Sequence, residues 1–143
     1  MATTLTATMT HTRTTPVSKA GKGILAGLVG GVVFGMMMQM MGIMSMLAMM
    51  MGSKSDLVGW LIHVMISAIF GLIYGVLAYK IATSWVVSGL VYGTILWVFG
   101  PLFMMPLMNG MTPFMFTGTT WLMLMGHMIF GLVTAWTFSK LVR

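Results

Sequence analysis

Two histidines and a run of methionines are the side chains in this sequence best suited to holding a ligand. His63 and His127 each lie inside a long apolar stretch. An ionisable residue in such a place is a functional candidate by default. Ten of the sixteen residues from Met36 to Met51 are methionine. The thioether is a flexible gap-filler, and it is also a soft ligand suited to Cu(I). Two readings follow. The methionines pack a membrane bundle, or a subset of those in 36–51, 104–115 and 123–128 forms a soft-metal site with the histidines, for which Met37, Met41, Met44 and Met123 with His63 and His127 are the first candidates. The plain alternative for each histidine is a neutral imidazole bonded to a hydroxyl or a backbone carbonyl, because buried polar groups are satisfied as a rule. Proton handling is a third use.

Other chemistries lack their residues. The chain has one acidic residue, Asp56, and no cysteine, which excludes a pair of catalytic carboxylates, a disulfide and a thiolate metal site. Ser45, Ser67 and Ser88 have no acid-oriented histidine nearby in sequence, so a Ser-His-Asp site is not expected. The glycine-rich run 27–35 lacks the lysine and hydroxyl residue that end a phosphate-binding loop. The expectation is a protein that is not an enzyme, with no cofactor named by the sequence beyond copper.

The elements that must position these residues are membrane spans. Of 143 residues, 59% are hydrophobic and 6% are charged, whereas a soluble domain carries about a quarter charged residues. Four apolar stretches reach the roughly 20 residues a helical crossing needs: 23–51, 57–79, 84–108 and 119–139. The fold expected is an all-α bundle of four transmembrane helices over residues 23–143, preceded by a disordered, threonine-rich basic tail over residues 1–22. The first span is longer than a crossing requires and should tilt or project. Pro101 and Pro106 should kink the third, or end its regular part near Phe99. Residues 109–120 are uncharged and apolar enough to fold back onto the bundle. Ser53 with Asp56 matches a helix-capping pattern opening the second span, which makes Asp56 a helix-start residue. Thr119 or Thr120 is expected to cap the fourth span.

Charge placement gives an orientation. Arg13, Lys19, Lys22, Lys80, Lys140 and Arg143 fall on one side of the spans and Lys54 alone on the other. Basic residues collect on the cytoplasmic side, so both termini are expected in the cytoplasm, with a prokaryotic cytoplasmic membrane as the location. Trp60 and Trp121 then mark the outer interface, and Tyr79, Trp85 and Trp136 the inner one. The net charge of +6 is explained by this pattern, and no nucleic-acid partner is expected. All methionines except Met1 and Met9 fall in the outer half with both histidines, and Gln39 lies there or near its edge.

Small residues recur at every fourth position: Gly23, Gly27, Gly31 and Gly35; Gly71 and Gly75; Gly89 and Gly93; and Gly131. In lipid, close backbone approach through such residues drives helix packing. Gln39, His63 and His127 continue these ladders and should face helix contacts. Ala26–Val29 matches Ser88–Val91 and Ile69–Leu72 matches Ile129–Leu132 at offsets of 62 and 60 residues, so the four spans read as two tandem two-helix repeats. The same ladders could serve contacts to other membrane subunits or to a second copy of the chain.

The stretch Leu57 to His63, continuing through Ser67–Gly71 to Tyr74 and Gly75, resembles small uncharacterised prokaryotic four-span membrane proteins. That resemblance covers most of residues 23–139 and implies a compact helical membrane protein without naming an activity. Met37/Met41, Met40/Met44 and Met46/Met50, with Gly71/Gly75 or Gly89/Gly93, resemble the paired-methionine and paired-glycine spans of eukaryotic copper transporters. That family has three spans and a methionine-rich extracellular tail, whereas this chain has four spans and a threonine-rich tail. The leading expectation is a non-catalytic accessory or scaffold subunit of a larger membrane complex, with a respiratory or other redox complex as the setting considered. The alternatives are Cu(I) binding or transport through the outer half, and a small transporter with its site between the repeats.

Overall fold

In a computed structural model that describes residues 16–77, 80 and 84–143, the chain folds as α-helices with no strand among those residues. The helices are α1 (Pro16–Met40), α2 (Ile43–Met49), α3 (Asp56–Val76), α4 (Trp85–Trp97), α5 (Met105–Met108) and α6 (Gly118–Leu141), and a π-helical segment, Val98–Met104, joins α4 to α5. Four stretches are long and apolar enough to cross a membrane: α1, α3, the continuous Trp85–Met108 unit, and α6. Apolar side chains cover the outside, among them Leu25, Leu61, Ile95 and Phe99, each at least half exposed. Such a surface suits lipid and would be costly in water.

Local chemistry sets the helix boundaries and moves several expected ones. The first helix begins at Pro16, not after Lys22. Proline suits a first helical position because its missing N–H is unpaired there in any case. The tail 1–15 and the interface residue Tyr79 lie outside the described residues. The stretch 23–51 is not one helix. Gly42 takes φ 71°, a left-handed conformation that glycine adopts without penalty, and it turns the chain from α1 into the short α2. A Cβ on Gly42 would meet open space, so conformation and not packing requires glycine there.

Ser55, with extended φ and ψ, occupies the position before α3, and its side chain makes no cap bond. Ser53 Oγ accepts from Ser55 N at 3.1 Å, so the expected capping pairing with Asp56 is absent. The fourth span is capped by Thr117, earlier than expected. Its Oγ1 accepts from Thr120 N while Thr120 Oγ1 accepts from Thr117 N, a reciprocal pair that satisfies two orphan amides. The third span behaves as its prolines dictate: regular α-helix stops at Trp97 and the π-helical segment carries Pro101. The loop after α5 folds back, with Phe114 N donating to Leu102 O at 2.8 Å and the Phe114 ring 6.0 Å from that of Phe103.

The helices assemble as two hairpin pairs, α1 on α3 and α4 on α6, which meet through α1 and α6. Within the first pair, Cβ atoms built on Gly23 and Gly27 would lie 2.8 Å from Gly75 Cα and from Gly71 N. Within the second, a Cβ on Gly89 would lie 2.8 Å from Gly131 O. Only bare backbone allows this approach. α1 has two working faces. Gly23, Gly27, Gly31 and Gly35 meet α3, while Gly30 faces Phe130 and Thr134 of α6 and Phe34 packs on Gly126.

Candidate functional site

The ladder that binds α1 to α3 also places the first histidine. Gly59, His63 and Ser67 continue the contact face of α3, and His63 is 6% exposed. Its Nε2 bonds the Gly31 carbonyl at 2.9 Å. A carbonyl only accepts, so Nε2 carries the proton and Nδ1 keeps its lone pair. On α6, His127 Nδ1 bonds Met123 O one turn earlier, at 2.8 Å. Here Nδ1 carries the proton and Nε2 is the bare nitrogen. Each histidine has one nitrogen locked as a donor and the other without a hydrogen bond.

Both rings contact Phe34, edge-to-face, with centroids 5.7 Å from His63 and 4.9 Å from His127. Both line one cavity of about 300 Å³ between the two helix pairs. It lies toward the end of the bundle that carries α2 and the loop 109–117, termed the distal end because the first turn of α1 and the last turn of α6 are at the other. Six methionines share the lining: Met38, Met50, Met104, Met105, Met108 and Met123. No lysine, arginine, aspartate or glutamate contributes. The π-helical segment supplies Gly100 and Pro101 to the wall, and a Cβ on Gly100 would sit 3.9 Å from His127 Nε2. A π-helical turn widens a helix and recurs at functional sites; here it forms the wall facing the unbonded nitrogen.

The cavity is layered along the bundle. Met50 and Met108 at the distal rim are 38% and 63% exposed, whereas Met38 and Met123 are each 5% exposed. His127 is one turn below Met123, about 6 Å at the helical rise. Phe70 and Phe130, further inward along α3 and α6 than the histidines, form the floor, and Phe34 and Leu96 line the sides. Beneath the floor, Tyr92 Oη donates to Phe70 O at 2.6 Å and Tyr74 Oη bonds Ser88 Oγ at 2.8 Å. These two bonds stitch α3 to α4. Tyr74 also packs edge-to-face on Tyr92 and Phe138. The Thr134 and Thr137 hydroxyls in this lower region are buried without a hydrogen bond.

Of the residues expected to form a metal site, the structure brings together His63, His127 and Met123. It does not bring the other three. Met37 packs against Gly126 of α6, Met41 lies half-buried against the core, and Met44 is fully buried with its carbonyl against Gly59. Met38, Met104, Met105 and Met108 take their places. Gln39 is also elsewhere. Its Nε2 donates to Asp56 Oδ2 at 2.7 Å, and its Oε1 accepts from Trp60 Nε1 at 2.9 Å. Ser45 Oγ donates to Asp56 Oδ1 at 2.7 Å. Asp56 is therefore the hub that ties α1, α2 and α3 together at the distal end, and not merely a helix-start residue.

Among the described residues no three of His, Cys, Asp and Glu cluster in a way that could hold a metal. The cavity's own donors are thioethers and unprotonated imidazole nitrogens, all neutral and polarizable. Neutral soft donors suit a monovalent soft cation. A divalent ion would bring two charges into an apolar site with no carboxylate to balance them, which carries a large desolvation penalty. No protein-family model, curated protein or solved structure matches the chain.

Proposed function

We propose that this chain is a small, non-catalytic integral membrane protein that binds Cu(I) in the cavity between its two helix pairs. One observation carries the reading: two imidazoles, each with one nitrogen fixed as a donor and the other unbonded, line the same uncharged cavity as six methionines. His127 Nε2 and the buried thioethers of Met38 and Met123 are the donors, with His63 Nδ1 as a further candidate. The test is anaerobic Cu(I) titration of the full chain in detergent or nanodiscs, in competition with a Cu(I) chelator. The native chain should bind Cu(I) stoichiometrically, and His63→Ala/His127→Ala should weaken binding markedly. Binding that is absent, or unchanged in the double variant, refutes the proposal.

The accessory-subunit reading loses part of its support, because the glycine ladders are occupied by contacts within the chain. One observation still favours it. Met111, Phe114, Met115 and Phe116 are each more than half exposed on the distal loop, an apolar patch that a neighbouring membrane subunit would cover. A native extract in which the chain migrates only as a monomer would count against that role.

We also read the two hairpins as tandem copies. Gly27 meets Gly71, and the residues 62 and 60 positions later, Gly89 and Gly131, meet each other. The basic residues put both termini in the cytoplasm of a prokaryotic cell, so that the cavity faces the outside. Reporter fusions at either terminus should be active only in the cytoplasm.

A further inference from the structure

We infer that Cu(I) reaches this cavity from the distal surface along a ladder of thioethers and that the other end is closed, so the site exchanges ion with one compartment only. The inference rests on the Cu(I) reading above and adds a route and a direction. Met50 and Met108 stand at the rim, Met104 and Met105 are half-buried below them, and Met38 and Met123 are buried at the level above His127. Exposure thus falls from the rim inward while the donor type stays the same. An ion moving down such a ladder forms each new copper–sulfur bond as the one behind it breaks. Copper stays Cu(I) throughout, and no proton or electron moves. Neutral thioethers suit this transfer because each step keeps the charge and the donor chemistry constant.

The ladder ends at the histidines. Phe130, at 3% exposure, and Phe70 stand inward of them on α6 and α3, and Phe34 fills the space between the two rings. Below these, the Tyr92–Phe70 and Tyr74–Ser88 hydrogen bonds close α3 on α4, and the glycine contacts close α1 on α3 and α4 on α6. The inward half offers hydroxyls and aromatic rings but none of the cavity's methionines. This layout is that of a holding site open at one end and not of a conduit.

Two measurements on the full chain test it. In nanodiscs loaded with Cu(I), a membrane-impermeant chelator is added and release is followed. Met50→Leu/Met105→Leu/Met108→Leu keeps apolar volume while removing the rim sulfurs. It should retain the native copper stoichiometry yet release copper at least an order of magnitude more slowly. Met111→Leu/Met115→Leu, exposed but outside the lining, should release at the native rate. Native-rate release by the rim variant, or equal slowing in the control, overturns the route. In proteoliposomes with the chelator trapped inside, external Cu(I) should colour the lumen no faster than in protein-free vesicles. Faster colouring overturns the closed end. Failure to load copper at all is a different result: it refutes the binding site itself and the route with it.

Discussion

His63 on α3 donates its Nε2 proton to the carbonyl of Gly31 on α1 across 2.9 Å. This bond is available because Gly31 lacks a side chain: a Cβ there would press on Ser67, one turn along α3. Packing and ligand chemistry are therefore coupled at one point. The contact that joins the helices also fixes which imidazole nitrogen is left with its lone pair. His63→Leu should lower stability by about 1 kcal/mol, the worth of a typical buried hydrogen bond. His127→Leu loses only a bond within its own helix and should cost less. Thermal unfolding in one detergent, compared across the two variants, checks this order.

The glycines divide into two kinds with different consequences. Gly27→Ala and Gly71→Ala should each destabilise by about 1–3 kcal/mol, because the new methyl meets backbone that has nowhere to move. Gly21, inside α1 with open space around its Cβ position, should behave oppositely. Gly21→Ala should be neutral or stabilising by up to about 1 kcal/mol from helix propensity. Denaturant-induced unfolding of the three variants measures the contrast.

Asp56 accepts from both Gln39 and Ser45, and hydrogen bonds to a charged group contribute more than neutral ones. Asp56→Ala removes the acceptor for both and should lower stability measurably. Because Trp60 donates to Gln39, the same substitution should change the indole environment. A tryptophan emission shift that accompanies the stability loss, and that Ser45→Ala produces only weakly, would identify Asp56 as the hub.

Ion selectivity follows from the uncharged lining. Ag(I), a soft monovalent cation, should displace Cu(I) from the loaded chain, and Zn(II) at equal concentration should not. Equilibrium dialysis with elemental analysis reads both. Displacement by Zn(II) would require a charged donor that the lining does not contain.

Much of this architecture is legible in the sequence where the signal is local and periodic. The four-residue steps through Gly23, Gly27 and Gly71 pointed to close helix contacts, and Pro101 pointed to the loss of regular α-helix in the third span. Gly42 gave no such warning, because glycine is common in membrane helices and the apolar methionines run on past it. The sequence alone does not favour Thr117 over Thr119 or Thr120, because capping depends on which residue takes an extended backbone. Asp56 looked like a cap because its local pattern fits one, whereas its partners Gln39 and Ser45 come from helices that only the fold brings near.

The candidate site shows the same division. His63, His127 and Met123 could be found from the ladders they continue. Met37, Met41 and Met44 were expected from their spacing, but spacing does not reveal which arc of α1 looks into the cavity. One face of α1 is taken by α3, and Phe34 and Met38 occupy the arc between the two helix pairs. Met104, Met105 and Met108 come from the stretch 104–115 that the sequence also offers, and the π-helical segment and α5 decide which of its methionines line the cavity.

Cu(I) in the proposed cavity would be held by thioether sulfur and free imidazole nitrogen. X-ray absorption at the copper K-edge, on the anaerobically loaded full chain in lipid, addresses it directly. The expected spectrum has a Cu(I) edge with a first shell dominated by sulfur plus imidazole nitrogen, and it loses the nitrogen contribution in His63→Leu/His127→Leu. A shell of oxygen and nitrogen without sulfur, or a native spectrum unchanged in the double variant, would contradict it.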